Sequence, residues 1–192
     1  MASSPRNTVS RDRDPHRLDV AAFADSGGEL AGAWPAHRLT RLVAATQPPQ
    51  DGTDRPDVAW HARGERRVLA GAGAQPSLAI GADTEVTLEC QRCLQAMRVP
   101  LHAERRIFFV DGEEAAEALD AESEDDVLAL PPALDLVDLI EDELLLALPL
   151  VPRHEQCPEP LPRAFVEDDP AIDPADNPFA VLAALKRGPR PN

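Results

Sequence analysis

The sequence predicts an α+β fold: an antiparallel β meander of about four or more strands, packed with an amphipathic helix and a short C-terminal helix, with disordered or irregular tails. Three observations predict it. Apolar and polar residues alternate with period two between residues 57 and 110, apolar residues recur at helical spacing from Leu136 to Leu148, and a capped helix specification closes the chain at Asn177 to Gly188. Alternation of this kind means strands with one wet face, and the 3.6-residue recurrence means a helix with one buried stripe.

Taken in order, residues 1–15 (MASSPRNTVSRDRDP) have no apolar periodicity and read as a disordered tail. They also lack the apolar stretch of a secretory signal. A single domain is expected over 16–157. From Leu18 to Val43 a short strand, a loop and one helical turn are expected, with Pro35 as an interruption, and Gln47 to Pro56 reads as a loop. Val58, Trp60 and Ala62 then share one parity, Gly64-Glu65 offers a turn, and Val68-Leu69 would begin a return strand. Leu78, Ile80, Ala82, Thr84, Val86, Leu88 and Cys90 alternate cleanly, and Met97, Val99, Leu101, Ala103, Ile107 and Phe109 resume the pattern after Cys93. The Cys90–Cys93 segment is therefore the turn between the two longest strands.

Residues 111–126 carry nine acids and no base, which predicts a solvated acidic insertion with at most a frayed helix, or a docking segment for a basic partner. Pro131-Pro132 introduces the amphipathic helix, with Asp135 as N-cap and Pro149 as its stop. Residues 158–176 form a Pro- and acid-rich linker. The closing helix, 177–188, has Pro178 at its first position, Phe179, Leu182 and Leu185 on one side, and Gly188 after Lys186 and Arg187.

The 192-residue chain has a formal net charge of -15. That charge is unevenly placed: 14 basic against 13 acidic residues up to Phe109, and 5 against 21 from Val110 onward. Such an acid-rich chain is repelled by phosphate backbones and anionic membranes unless its cations are segregated. Arg92, Arg98, Arg105 and Arg106 on or beside the meander are the candidate nucleic-acid contacts, set against scattered arginines paired with the many acids. Asp138, Glu141 and Asp142 on the acidic helix and Phe179 on the terminal helix are candidate partner contacts. No apolar run is long enough to span a bilayer. Three cysteines without a secretion signal suggest reduced thiols in the cytoplasm rather than a disulfide framework.

Cys90-Gln91-Arg92-Cys93 is a C-x-x-C on a strand-turn-strand, and His154-Glu155-Gln156-Cys157 is an H-x-x-C after the acidic helix. Three thiolates and one imidazole make a tetrahedral structural zinc set that would staple the helix's exit to the hairpin. A redox pair competes with this, although such pairs sit at a helix N-terminus rather than between strands. So does a metal-free core cysteine at Cys90. No nucleophile elbow, phosphate-binding glycine loop or metalloprotease motif is present, so no enzyme or small-molecule substrate is expected.

LECQRCLQAM on a strand, DLVDLIEDELLLALPLVPRHEQC and the closing NPFAVLAALK together resemble the bacterial large ribosomal RNA subunit accumulation family YceD, over roughly Leu18 to Lys186. The resemblance implies a non-catalytic cytoplasmic factor needed for synthesis, processing or stability of large-subunit ribosomal RNA. Combined with the charge, it suggests an adaptor that binds a basic ribosomal or assembly protein or the precursor RNA. Leu94 departs from a zinc knuckle, where a small residue such as Gly would suit the backbone. The alternative from another class is a zinc- or thiol-dependent enzyme using the C-x-x-C pair. A membrane-lipid accessory is disfavoured by charge.

Overall fold

The computed structural model describes residues 14–158. The terminal helix with Phe179, the 158–176 linker beyond its first residue and nearly all of the N-terminal tail lie outside them. The order of elements is α1 (Val20–Asp25), β1 (Glu29–Trp34), a 3-10 turn (Ala36–Arg38), α2 (Thr40–Ala45), β2 (Val58–Leu69), β3 (Gly73–Glu89), β4 (Ala96–Val110), α3 (Glu113–Glu122), β5 (Asp126–Ala129) and α4 (Leu136–Leu146). One five-stranded sheet runs β1-β2-β3-β4-β5 in sequence order. Its first three pairings are antiparallel, and β5 joins β4 in parallel.

Residues 57–110 supply three long strands to the meander rather than four, because the expected turn at Gly64-Glu65 is absent, and β1 is its fourth antiparallel strand. β2 continues through it in register with β3, Gly64 opposite Leu78 and Glu65 opposite Ser77. The glycine has a packing reason instead. The Phe23 ring of α1 presses on this strand, so a Cβ at Gly64 would stand 2.5 Å from Phe23 Cδ1. A strand glycine at a close approach and a turn glycine read alike in sequence. The turn comes later, where Ala72 N–H donates to the Leu69 carbonyl at 3.2 Å.

Trp34, Val58, Trp60, Ala62, Leu78, Ile80, Ala82, Val86, Leu88, Leu101, Ala103, Ile107 and Phe109 face one side of the sheet, as the alternation predicts. α1, α2 and α4 supply the rest of that core through Phe23, Leu42, Leu136, Ile140 and Leu144. Trp34 and Trp60 stack with ring centroids 4.2 Å apart.

Between Leu18 and Val43 the structure places two short helices around β1, where one strand and one helical turn were expected. The 111–126 segment is also more ordered than its charge suggested. α3 occupies most of it, and its Ala116 and Leu119 pack with Leu69, Phe108, Val110 and Val127 into a second, smaller cluster. Phe108 and Val110 have the opposite parity to Ile107 and Phe109, so α3 covers one end of the otherwise wet face. The acids of α3 are exposed, Ala116 and Leu119 supply its apolar contacts, and the Asp120 carboxylate accepts from Val127 N–H at 2.9 Å.

α4 starts and is capped as expected: the Asp135 carboxylate accepts from Val137 N–H at 2.9 Å and from Asp138 N–H at 3.4 Å. No helix among the described residues is long and apolar enough to cross a membrane.

Candidate metal centre and its surroundings

β3 ends one residue before Cys90 and β4 begins at Ala96, so the C-x-x-C lies on a tight turn between paired strands. Leu94 N–H donates to the Cys90 carbonyl at 2.8 Å, and Cys90 N–H to the Gln95 carbonyl at 2.9 Å. Closing the turn puts Leu94 at φ 60°, a left-handed conformation that costs a side-chain-bearing residue and suits Gly. The strand hydrogen bonding resumes at once on the other side, so neither cysteine sits at a helix N-terminus.

The chain leaving α4 then crosses this turn. Gln91 N–H donates to the Pro152 carbonyl at 2.9 Å, which anchors the segment that carries His154 and Cys157. The four candidate ligands meet there, their donor atoms all within 4.8 Å of one another. Cys90 Sγ lies 4.0 Å from Cys157 Sγ, and Cys93 Sγ lies 3.4 Å from His154 Nδ1. A tetrahedral zinc with S at about 2.3 Å and N at about 2.0–2.1 Å would set neighbouring sulfurs about 3.8 Å apart and a sulfur and nitrogen about 3.5 Å apart. The Cys90–Cys157 and Cys93–His154 spacings are close to these values, and the whole set lies within 4.8 Å.

The electrostatics of the turn favour thiolate at Cys90. Burial pushes the Cys90 thiol up, but the N–H groups of His154, Cys93 and Arg92 aimed at it outweigh this and bring it down to about 5. Cys93 goes the other way, raised by burial and by its crowded neighbours Cys157 and Cys90. Arg92 Nε donates to Cys157 Sγ at 3.1 Å, and its Nη2 reaches the His154 carbonyl at 3.4 Å. A cation inserted among sulfurs offsets the negative charge that three thiolates bring to one site.

Arg92 is therefore part of this centre's lining rather than a free contact for nucleic acid. Two more of the four arginines are similarly engaged. Arg98 pairs with Asp51 and, at 3.3 Å, with Glu85. Arg105 has the parity of Ala103 and Ile107, lies on the helix-covered face, and is clamped between Asp126 at 2.6 Å and Glu143 at 3.4 Å. Arg106 alone of the four is exposed on the open face with no ion pair among the described residues. The sheet does not gather these arginines into one basic surface.

Glu141 also has a different place from the one expected. It is buried on the stripe of α4 that holds Val137, Ile140 and Leu144. Its Oε1 accepts from the N–H groups of Arg41 at 2.7 Å and Leu42 at 3.0 Å, and its Oε2 from Arg41 Nε at 2.9 Å. α2 begins after Leu39, whose side chain offers no cap, so Glu141 caps α2 from another helix. It is thus withheld from any partner. The helical count predicts this, since position 141 follows 137 by four and precedes 144 by three. Asp142 pairs with Arg41, while Asp138 is exposed.

The family model for large ribosomal RNA subunit accumulation protein YceD matches residues 78–186. A curated relative, the large ribosomal RNA subunit accumulation protein YceD of Haemophilus influenzae, is 37% identical over 106 residues, which are 54% of this chain and 61% of the relative. The chain thus aligns with about three fifths of that relative's length. No solved structure matches. The matched region runs from the middle of β3 through β4, α4 and all four clustered ligands, and on these grounds the chain belongs to the large ribosomal RNA subunit accumulation protein YceD family.

Proposed function

We propose that this protein is a non-catalytic cytoplasmic factor that supports the synthesis, processing or stability of large-subunit ribosomal RNA, acting as an adaptor to assembly proteins or precursor RNA. The observation that carries the reading is the family match across residues 78–186. The distribution of charge supports attachment through protein: three of the four meander arginines are engaged internally, and residues 14–158 hold 27 acids against 12 arginines. The Cys90, Cys93, His154 and Cys157 group would hold one structural zinc, which would fasten the exit of α4 to the β3–β4 turn and so fix the shape of this end of the fold.

The test is depletion of the protein from its host with large- and small-subunit ribosomal RNA measured together. A selective fall in the large-subunit RNA is expected, restored by the wild-type gene; unchanged levels would overturn the reading. The enzymatic alternative would draw on the Cys90 thiol, whose pKa the surrounding N–H groups bring down to about 5. Against it, Cys90 is fully buried, and a nucleophile must reach its substrate. Disulfide exchange or turnover abolished by Cys93→Ser would reverse that preference.

A further inference from the structure

Six large apolar residues are exposed among the described ones, and four of them lie at the end of the molecule that holds the candidate zinc centre. Leu94 is 68% exposed, Leu146 72%, Leu150 100% and Val151 53%. They come from two segments that the Gln91 to Pro152 hydrogen bond ties together: Leu94 from the β3–β4 turn, and the others from the last residue of α4 and the five that follow. Isolated exposed leucines are ordinary, but a local concentration of them marks a contact surface. Leu94 adds a second cost. It holds a left-handed backbone at φ 60°, which Gly would adopt without strain, and it uses that position to present an apolar side chain to water. Backbone strain that persists at an exposed position is characteristic of binding sites.

We infer that this apolar knuckle, Leu94 with Leu146, Leu150 and Val151, is the docking surface for a basic, amphipathic segment of a large-subunit ribosomal or assembly protein. The occupant follows from charge. The described domain carries 27 acids and 12 arginines, so a second copy of the chain and an RNA backbone are both repelled at long range, and a cationic polypeptide is attracted. Near the apolar residues Asp142 already pairs with Arg41 and the exposed Glu155 is offset by the exposed Arg153, so the attraction is that of the domain's overall charge. The zinc set would hold the two segments in register, so the surface is complete only when both are fastened. The inference rests on the adaptor reading and names its contact surface.

The experiment uses the full chain as purified, titrated separately with each purified basic large-subunit ribosomal protein and with naked large-subunit ribosomal RNA, alongside sedimentation of the chain alone. Two variants are compared with wild type: Leu94→Gly, and Leu94→Gly combined with Leu150→Ser and Val151→Ser. Leu94→Gly relieves the positive φ, so its melting temperature should hold or rise. The expected result is binding to at least one basic protein that weakens with salt and falls at least about tenfold in the triple variant, the order expected for uncovering one or two leucines. Protein binding that the triple variant leaves unchanged overturns the surface but not the adaptor reading. Binding to the RNA alone, or self-association abolished by the triple variant, overturns the choice of occupant. No binding to any probe also overturns the inference, while the depletion experiment above decides the adaptor reading independently.

Discussion

The buried face of α4 is sealed against the sheet by Leu136, Val137, Ile140 and Leu144, with Glu141 satisfied by two backbone N–H groups and the Arg41 side chain. The segment that follows brings His154 and Cys157 to Cys90 and Cys93, is joined to the turn by the Gln91 to Pro152 backbone hydrogen bond, and directs Leu150 and Val151 outward. The first region is a complete apolar core with its polar member paired. The second presents exposed Leu150 and Val151 instead, and is tied to the turn by hydrogen bonds from Gln91 N–H to the Pro152 carbonyl and from His154 N–H to Cys90 Sγ. One helix thus has a body fixed by packing and an exit beside a ligand set that would fix it on binding a metal.

Separating the two regions by chelation should give the largest effect. Structural zinc contributes on the order of 10 kcal/mol in small peptide sites, and here that energy would be local. Removing it should accelerate amide exchange at Gln91, Leu94 and the 150–157 segment by several orders of magnitude, while the far-ultraviolet circular dichroism of the sheet stays intact. Loss of the whole sheet on chelation would break the comparison. In the packed region, Phe109→Ala removes a ring that is 1% exposed and should cost about 3–5 kcal/mol in denaturant titrations. Glu141→Ala leaves the two α2 N–H groups unpartnered and Arg41 with Asp142 as its remaining carboxylate, and should cost about 3 kcal/mol. Glu141→Gln, which keeps an acceptor, should cost less. Asp135→Ala removes the α4 cap for about 1 kcal/mol.

The smallest effect is a pH dependence far from both regions. The Asp83 carboxylate, 2.7 Å from His102 Nδ1, raises the His102 pKa above its ordinary 6.5. A raised folded-state value means the contribution is fully present below about 6.5 and is lost as pH rises through the folded value. The pair is exposed, so the wild type should lose only a slight advantage over His102→Gln between pH 5.5 and 8.5.

The legibility of the fold followed the same division. Parity alone assigned the core side of β3 and β4 and the buried stripe of α4, because burying one face imposes a period that the residues must obey. It failed at Gly64, where a glycine serves the Phe23 ring rather than a turn, and at α3, where five acids mask two apolar contacts. The centre was legible as ligand types and spacing, Cys90 to Cys93 and His154 to Cys157, since a tight turn brings such pairs to one side. The arginine assignments were not, because pairing partners such as Asp51 for Arg98 and Asp126 for Arg105 are distant in sequence and only the fold brings them close. Glu141 was legible by helical count, although the acids around it disguised it as solvent-facing.

The most direct test of the coordinated exit is elemental analysis of the chain purified without chelator, in parallel with Cys157→Ser. About one zinc per folded chain, lost or sharply reduced in the variant, is the predicted result. A metal-free wild type whose 150–157 segment is as protected from amide exchange as the sheet would contradict it.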